Sequence, residues 1–290
     1  MEKNRIRAVI LVLIIVVAAL ILLARLAGGR PKAASEEAAD VSAGTAYLQA
    51  LEQQDPASVD DALKQIRLQE LIAQRDEKLR QLRSGEISVW SLFEDYVIMG
   101  DSRAVGFTFL GTLDENRILG HYGDGSDEIP THYPALEDLN PSYIFLTYGL
   151  DDMLQVGCET PESFAKLYLE RLQDLQTHFP DAKIFVSPIF PCTDPAFDSY
   201  EPRKKWRETE AYTEALENAL KGTGFYYVSC DDITDFSQYW VDDGIHFNAD
   251  FYRVWSEHMI MAMYDAELGL SSSDGSIDFA EDEGETAPAE

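Results

Sequence analysis

The sequence is short of positive charge. Its 290 residues hold 23 Lys and Arg against 52 Asp and Glu, a formal net charge of −29. Binding a nucleic-acid backbone requires clustered basic side chains, so this balance argues against a nucleic-acid partner and against a face lying flat on anionic lipid. Cysteine is equally scarce. Cys158, Cys192 and Cys230 form an odd set with no C-x-x-C pair, so no disulfide framework is encoded. Cys192 and Cys230 each adjoin an apolar run, which leaves room for one bridge. No pair among the five histidines has convincing metal-ligand spacing, so no zinc site is expected.

The longest apolar run is Ala8–Ala24, flanked by Lys3, Arg5 and Arg7 before it and by Arg25, Arg30 and Lys32 after it. It has no polar face, which sets it apart from a buried core helix, and its length suits a short membrane span. Ala24-Arg25-Leu26-Ala27 is a poor cleavage site, so an uncleaved signal anchor is favoured over a signal peptide. The basic start then stays in the cytoplasm and the rest of the chain lies outside the membrane. No cysteine follows this run to carry a lipid. The expected organisation is an anchor over 1–28, a flexible and helical linker or stalk over 29–90, a folded domain over 91–270 and an acidic disordered tail over 271–290. Pro56 divides the helical stretch Tyr47–Leu82 into two pieces, which either form a self-associating stalk or pack loosely on the domain.

Within the domain, short apolar runs alternate with amphipathic stretches. Val97-Ile98-Met99, Tyr143–Tyr148, Lys183–Ser187 and Phe225–Ser229 read as buried strands. Pro161–Phe179, Trp206–Lys221 and Ala249–Leu268 read as the intervening and final helices. Strands separated by helices of this length predict βαβ crossovers and a parallel sheet, with ligands bound beyond the strand carboxyl ends.

Three motifs fall at those ends. Gly100-Asp101-Ser102-Arg103 follows the first strand and exposes a hydroxyl at a strand-to-helix turn. Alone it is no more than a capped turn. Tyr148-Gly149-Leu150-Asp151-Asp152 follows the second predicted strand, where glycine lets backbone approach a ligand. Asp243-Gly244-Ile245-His246 opens the last helix and offers an imidazole with a carboxylate three residues away, the pairing a serine nucleophile needs. Together and in this order they resemble the SGNH (GDSL-type) serine hydrolases over roughly residues 96–268.

The resemblance implies a flavodoxin-like three-layer α/β/α sandwich with a parallel sheet, and acyl-ester hydrolysis without metal or organic cofactor. Carried over residue by residue, Ser102 is the nucleophile, His246 the base and Asp243 its orienting partner. The oxyanion hole is the Ser102 N–H, a glycine N–H taken as Gly123 with Gly125 as the second choice, and the position of Asp151. Arg103, Gly149 and Asp152 are the expected substrate-binding residues, and Phe107, Phe109 and Tyr122 candidate walls of an acyl pocket. The departure is Asp151, which stands where the family has asparagine and donates a hydrogen bond only when protonated. An extracytoplasmic tether suggests acyl esters of cell-surface glycans as substrates. The alternatives are an acyltransferase using the same acyl-enzyme and a non-catalytic binding or assembly module.

Overall fold

The structure, a computed structural model, describes residues 56–269, with side chains from residue 60 onward. The apolar run Ala8–Ala24, the spacer, the helical piece before Pro56 and the acidic tail lie outside these residues. Among the described residues no helix is long and apolar enough to cross a membrane.

Five parallel strands form one sheet: β1 Tyr96–Gly100, β2 Ile118–Gly120, β3 Tyr143–Leu146, β4 Lys183–Val186 and β5 Tyr226–Tyr227. Their order is β2-β1-β3-β4-β5, the doubly wound arrangement of flavodoxin-like proteins. Strand β2 was not expected. It has three residues, too few for a periodicity to show, and it is held by pairing to β1, with Ile98 opposite Ile118. The other four were legible because both faces of a parallel sheet are covered, so their strands read as continuous apolar runs.

Alternate residues of the sheet feed two separate cores. Val97, Met99, Ile144, Leu146, Ile184 and Val186 point to one face. There they meet α4 Pro161–His178 through Phe164, Leu172 and Leu175, and α6 Thr209–Leu220 through Tyr212 and Leu216. Ile98, Phe145, Phe185 and Val228 point to the other face and meet Phe251, Trp255, Met259 and Ile260 of α7 Ala249–Glu267. On that face Phe145, Phe185 and Tyr226 stack across three neighbouring strands with centroids 4.9 and 5.0 Å apart. Burying rings of this size supplies much of the stability of such a layer. The result is the three-layer sandwich.

Three shorter helices are α2 Ser102–Val105, α3 Tyr133–Leu139 and α5 Asp194–Ser199. The long helix α1 spans Pro56–Arg83, with Pro56 at its first position, where its missing N–H costs nothing. From Ile66 onward the chain belongs to the same compact unit as the sheet. There Leu82 is buried in the α7-side core, and Arg75 pairs with Asp265 of α7. That part of α1 packs on the sandwich, whereas Ile66 and Leu71 stay exposed. All three cysteines are buried free thiols, so the Cys192–Cys230 bridge does not form.

Candidate active site

β1 ends at Gly100, and Asp101 caps the turn that follows by accepting the Arg103 N–H at 2.8 Å. This fixes Ser102 at the first position of α2, beyond the carboxyl end of β1. The loop before α7 brings the base to it. Gly244 carries φ +70°, and a Cβ there would lie 2.3 Å from Thr193 Oγ1, so only glycine fits this bend. Asp243 Oδ1 accepts the Ile245 and His246 N–H groups at 2.8 and 2.9 Å. Its other oxygen lies 2.6 Å from His246 Nδ1, and His246 Nε2 lies 2.7 Å from Ser102 Oγ. Burial pushes the Asp243 carboxyl up, but the hydrogen bonds from the His246 ring and the two backbone N–H groups outweigh it and hold the pKa below the usual value. Asp243 therefore stays ionised and fixes the imidazole with Nε2 free to take a proton from the serine.

The arrangement opens on a cavity of about 550 Å³ whose wall includes Ser102, His246, Phe109, Leu110, Tyr122 and Val241. Phe109 and Tyr122 are largely exposed at its mouth, and the Tyr122 ring stands edge-on to His246 at 6.2 Å. Phe107 does not line it: it is fully buried between Tyr252 and Trp255. Leu110 and Val241 carry no sequence motif, and only the fold places them here.

The side expected to form the oxyanion hole is acidic. In the loop after β2, Gly123 lies exposed and Gly125 is buried. Gly149 has φ +141°, and a Cβ would meet Ile189 at 2.5 Å, so the turn after β3 requires glycine. Asp151 follows, half-buried, with its pKa raised to about 6 by burial first and by the charge of Asp152 second. Asp101, beside the nucleophile, is pushed up to about 7, mainly by burial and against the pull of Arg103; one of its carboxyl oxygens is buried without a partner.

Two expected substrate contacts are corrected. Arg103 is 2% exposed and points inward. Its guanidinium donates to the carbonyls of Ile245, Phe190 and Pro191 at 3.0, 2.7 and 2.8 Å and lies 4.9 Å from the Phe247 ring centre. It ties the His246 loop to the strand end after β4 and has no face left for substrate. Asp152 is fully buried: it accepts from the Ser126 backbone and hydroxyl and from Arg171, with the Arg171 bond at 2.8 Å. It joins the loop after β3 to the one after β2. Arg103 and Asp152 are positioning residues, and nothing in the local sequence distinguishes either from an exposed charge. Tyr148, at the turn after β3, is 1% exposed and its hydroxyl has no partner.

The profile of the GDSL-like lipase/acylhydrolase family matches residues 100–254, a span that begins at Gly100 and takes in the whole triad. The chain belongs to this family. Members hydrolyse acyl esters, and the chain is at family level an ester-hydrolysing enzyme. No curated protein matches the chain. Among solved structures it is similar to a GDSL-like lipase from Bacteroides thetaiotaomicron, at 13% identity over 65% of this chain and 95% of that one, with a TM-score of 0.42. A lipase/acylhydrolase from Enterococcus faecalis is 12% identical over 60% of this chain and 97% of its own, with a TM-score of 0.43. A family 3 carbohydrate esterase from Clostridium thermocellum is 18% identical over 60% and 95%, with a TM-score of 0.38.

Proposed function

We propose that the protein is a serine esterase that cleaves short acyl esters, O-acetyl esters among them, through an acyl-enzyme on Ser102. The observation that carries this is the unbroken hydrogen-bond chain Ser102–His246–Asp243 opening on an apolar-walled cavity. Ser102 Oγ attacks the acyl carbonyl carbon as its proton passes to His246 Nε2, and Asp243 stabilises the imidazolium. The negative charge that forms on the carbonyl oxygen is met by the Ser102 and Gly123 N–H groups and by Asp151 while it holds its proton. Collapse breaks the ester C–O bond, and the departing alcohol takes the proton from His246. Water then repeats the sequence in reverse, releasing the acid and restoring Ser102.

The substrate class follows from the wall and the setting. Phe109 and Tyr122 at the mouth present flat apolar faces suited to an acyl chain or a sugar ring. The apolar run Ala8–Ala24 with its basic flanks supports a single-pass anchor and an extracytoplasmic domain acting on acylated cell-surface glycans.

Asp151 favours a second reading, a scaffold that binds an acyl group with little turnover. Hydrolysis of p-nitrophenyl acetate by the full chain, beside Ser102→Ala and Asp151→Asn, tests both. The esterase reading expects turnover that vanishes in Ser102→Ala. Turnover absent from the wild type but present in Asp151→Asn would establish the second reading, and turnover indifferent to Ser102 would refute the first.

A further inference from the structure

The loop between β2 and α3 holds three donor groups for which ester hydrolysis has no use. His121 Nδ1 lies 3.0 Å from Asp124 Oδ2, and His132 Nε2 lies 3.9 Å from the same oxygen. The two imidazole rings stack with centroids 5.7 Å apart and an interplanar angle of 17°. All three donor atoms lie within 4.8 Å of one another. A tetrahedral ion with bonds of about 2.0–2.1 Å holds its donors about 3.3 Å apart, a value these separations bracket.

A plain hydrogen-bonded cluster does not account for His132. Its side chain is 10% exposed, and its Nε2 is buried without a hydrogen-bond partner while directed at Asp124. Buried polar atoms are nearly always satisfied, so an imidazole nitrogen left unpartnered beside a carboxylate and a second imidazole is placed as a metal ligand would be. Two imidazoles and one carboxylate select a zinc-like ion over magnesium or calcium, which prefer all-oxygen shells. His121, with its side chain 76% exposed, forms the entry from solvent.

We propose that His121, Asp124 and His132 bind one divalent transition-metal ion of the zinc class, with water completing its shell, and that the ion clamps the loop carrying Tyr122 and Gly123. The site is separate from the triad, none of whose members contributes a donor. Its reach to the triad is through the Tyr122 ring, which lies against His246. The binding claim is independent of the catalytic reading.

The test uses the full chain, stripped with a chelator and titrated with cobalt chloride in excess magnesium chloride, which occupies the acidic surface. One equivalent of cobalt is expected to give the intense visible absorption of a four-coordinate site, and zinc chloride to abolish it by displacement. His121→Ala and Asp124→Asn are each expected to weaken binding at least about tenfold. Because His121 is exposed, its variant is expected to keep the wild-type circular dichroism, so weakened binding there is not a folding defect. Amide exchange across residues 121–124 is expected to slow when zinc binds. No cobalt spectrum at one equivalent, or one unchanged in both variants, overturns the site. Binding with no change in exchange overturns the clamp.

Discussion

The two sides of Ser102 are built on opposite principles. On the His246 side every charge is answered: Asp243 is ionised, takes three hydrogen bonds and sets the imidazole, while Arg103 satisfies three carbonyls behind it. On the side proposed to hold the oxyanion, carboxylates stand where the family resemblance expects a donor. Asp101 and Asp151 are both pushed towards the neutral form by burial, and Tyr148 offers a hydroxyl buried without a partner. The base side is therefore held in place by fixed hydrogen bonds, whereas the proposed oxyanion hole is complete only while Asp151 keeps its proton. The family's asparagine would make the second half independent of pH, and aspartate makes it conditional.

The comparison is broken most severely by removing the nucleophile. Ser102→Ala is expected to lower kcat for p-nitrophenyl acetate by about 10⁶-fold with the fold intact by circular dichroism, as losing a serine of a working triad does. Asp243→Asn tests the ordered side alone: an expected fall in kcat of about 10⁴-fold reflects an imidazole in the wrong tautomer. A fall under tenfold would mean that Asp243 only shapes the loop.

Asp151→Asn tests the conditional side. The Asp151 pKa lies above the ordinary carboxylate value, so the proton is held below about pH 6 and lost above it. Wild-type kcat/KM is therefore expected to decline as pH rises past that point, and Asp151→Asn to remove the decline. The variant is expected to exceed the wild type by about 10²-fold at pH 8, the worth of one oxyanion donor, and to match it near pH 5. A parallel pair of pH profiles would show that Asp151 does not face the oxyanion.

Arg103→Leu is the smallest test in catalytic terms and the clearest structural one. It leaves the carbonyls of Ile245, Phe190 and Pro191 without their donor, and the expected loss is about 3 kcal/mol in denaturant unfolding. A raised KM with unchanged stability would instead restore Arg103 to the substrate.

The contrast also explains what could be read without coordinates. The contact of Ser102, His246 and Asp243 was legible because they sit in compact motifs at predicted element ends, and a tight loop makes a three-residue spacing a reliable contact. The four longer apolar runs were legible for a similar local reason. Arg103 and Asp152 were misjudged because direction is a tertiary property. Nothing in Gly100-Asp101-Ser102-Arg103 shows that its arginine turns inward to carbonyls 87 to 142 residues away. Asp152 finds Ser126 and Arg171, 26 and 19 residues distant, only once both loops are in place. The convergence of His121, Asp124 and His132 escaped notice because a bent loop, not a helical or strand repeat, sets it.

The most direct test of the account is covalent labelling of the full chain with a fluorophosphonate, followed by peptide mapping. The account predicts stoichiometric modification at Ser102, lost in His246→Ala because the hydroxyl is no longer activated. A chain that stays unlabelled while folded, or that is labelled at another residue, would contradict it.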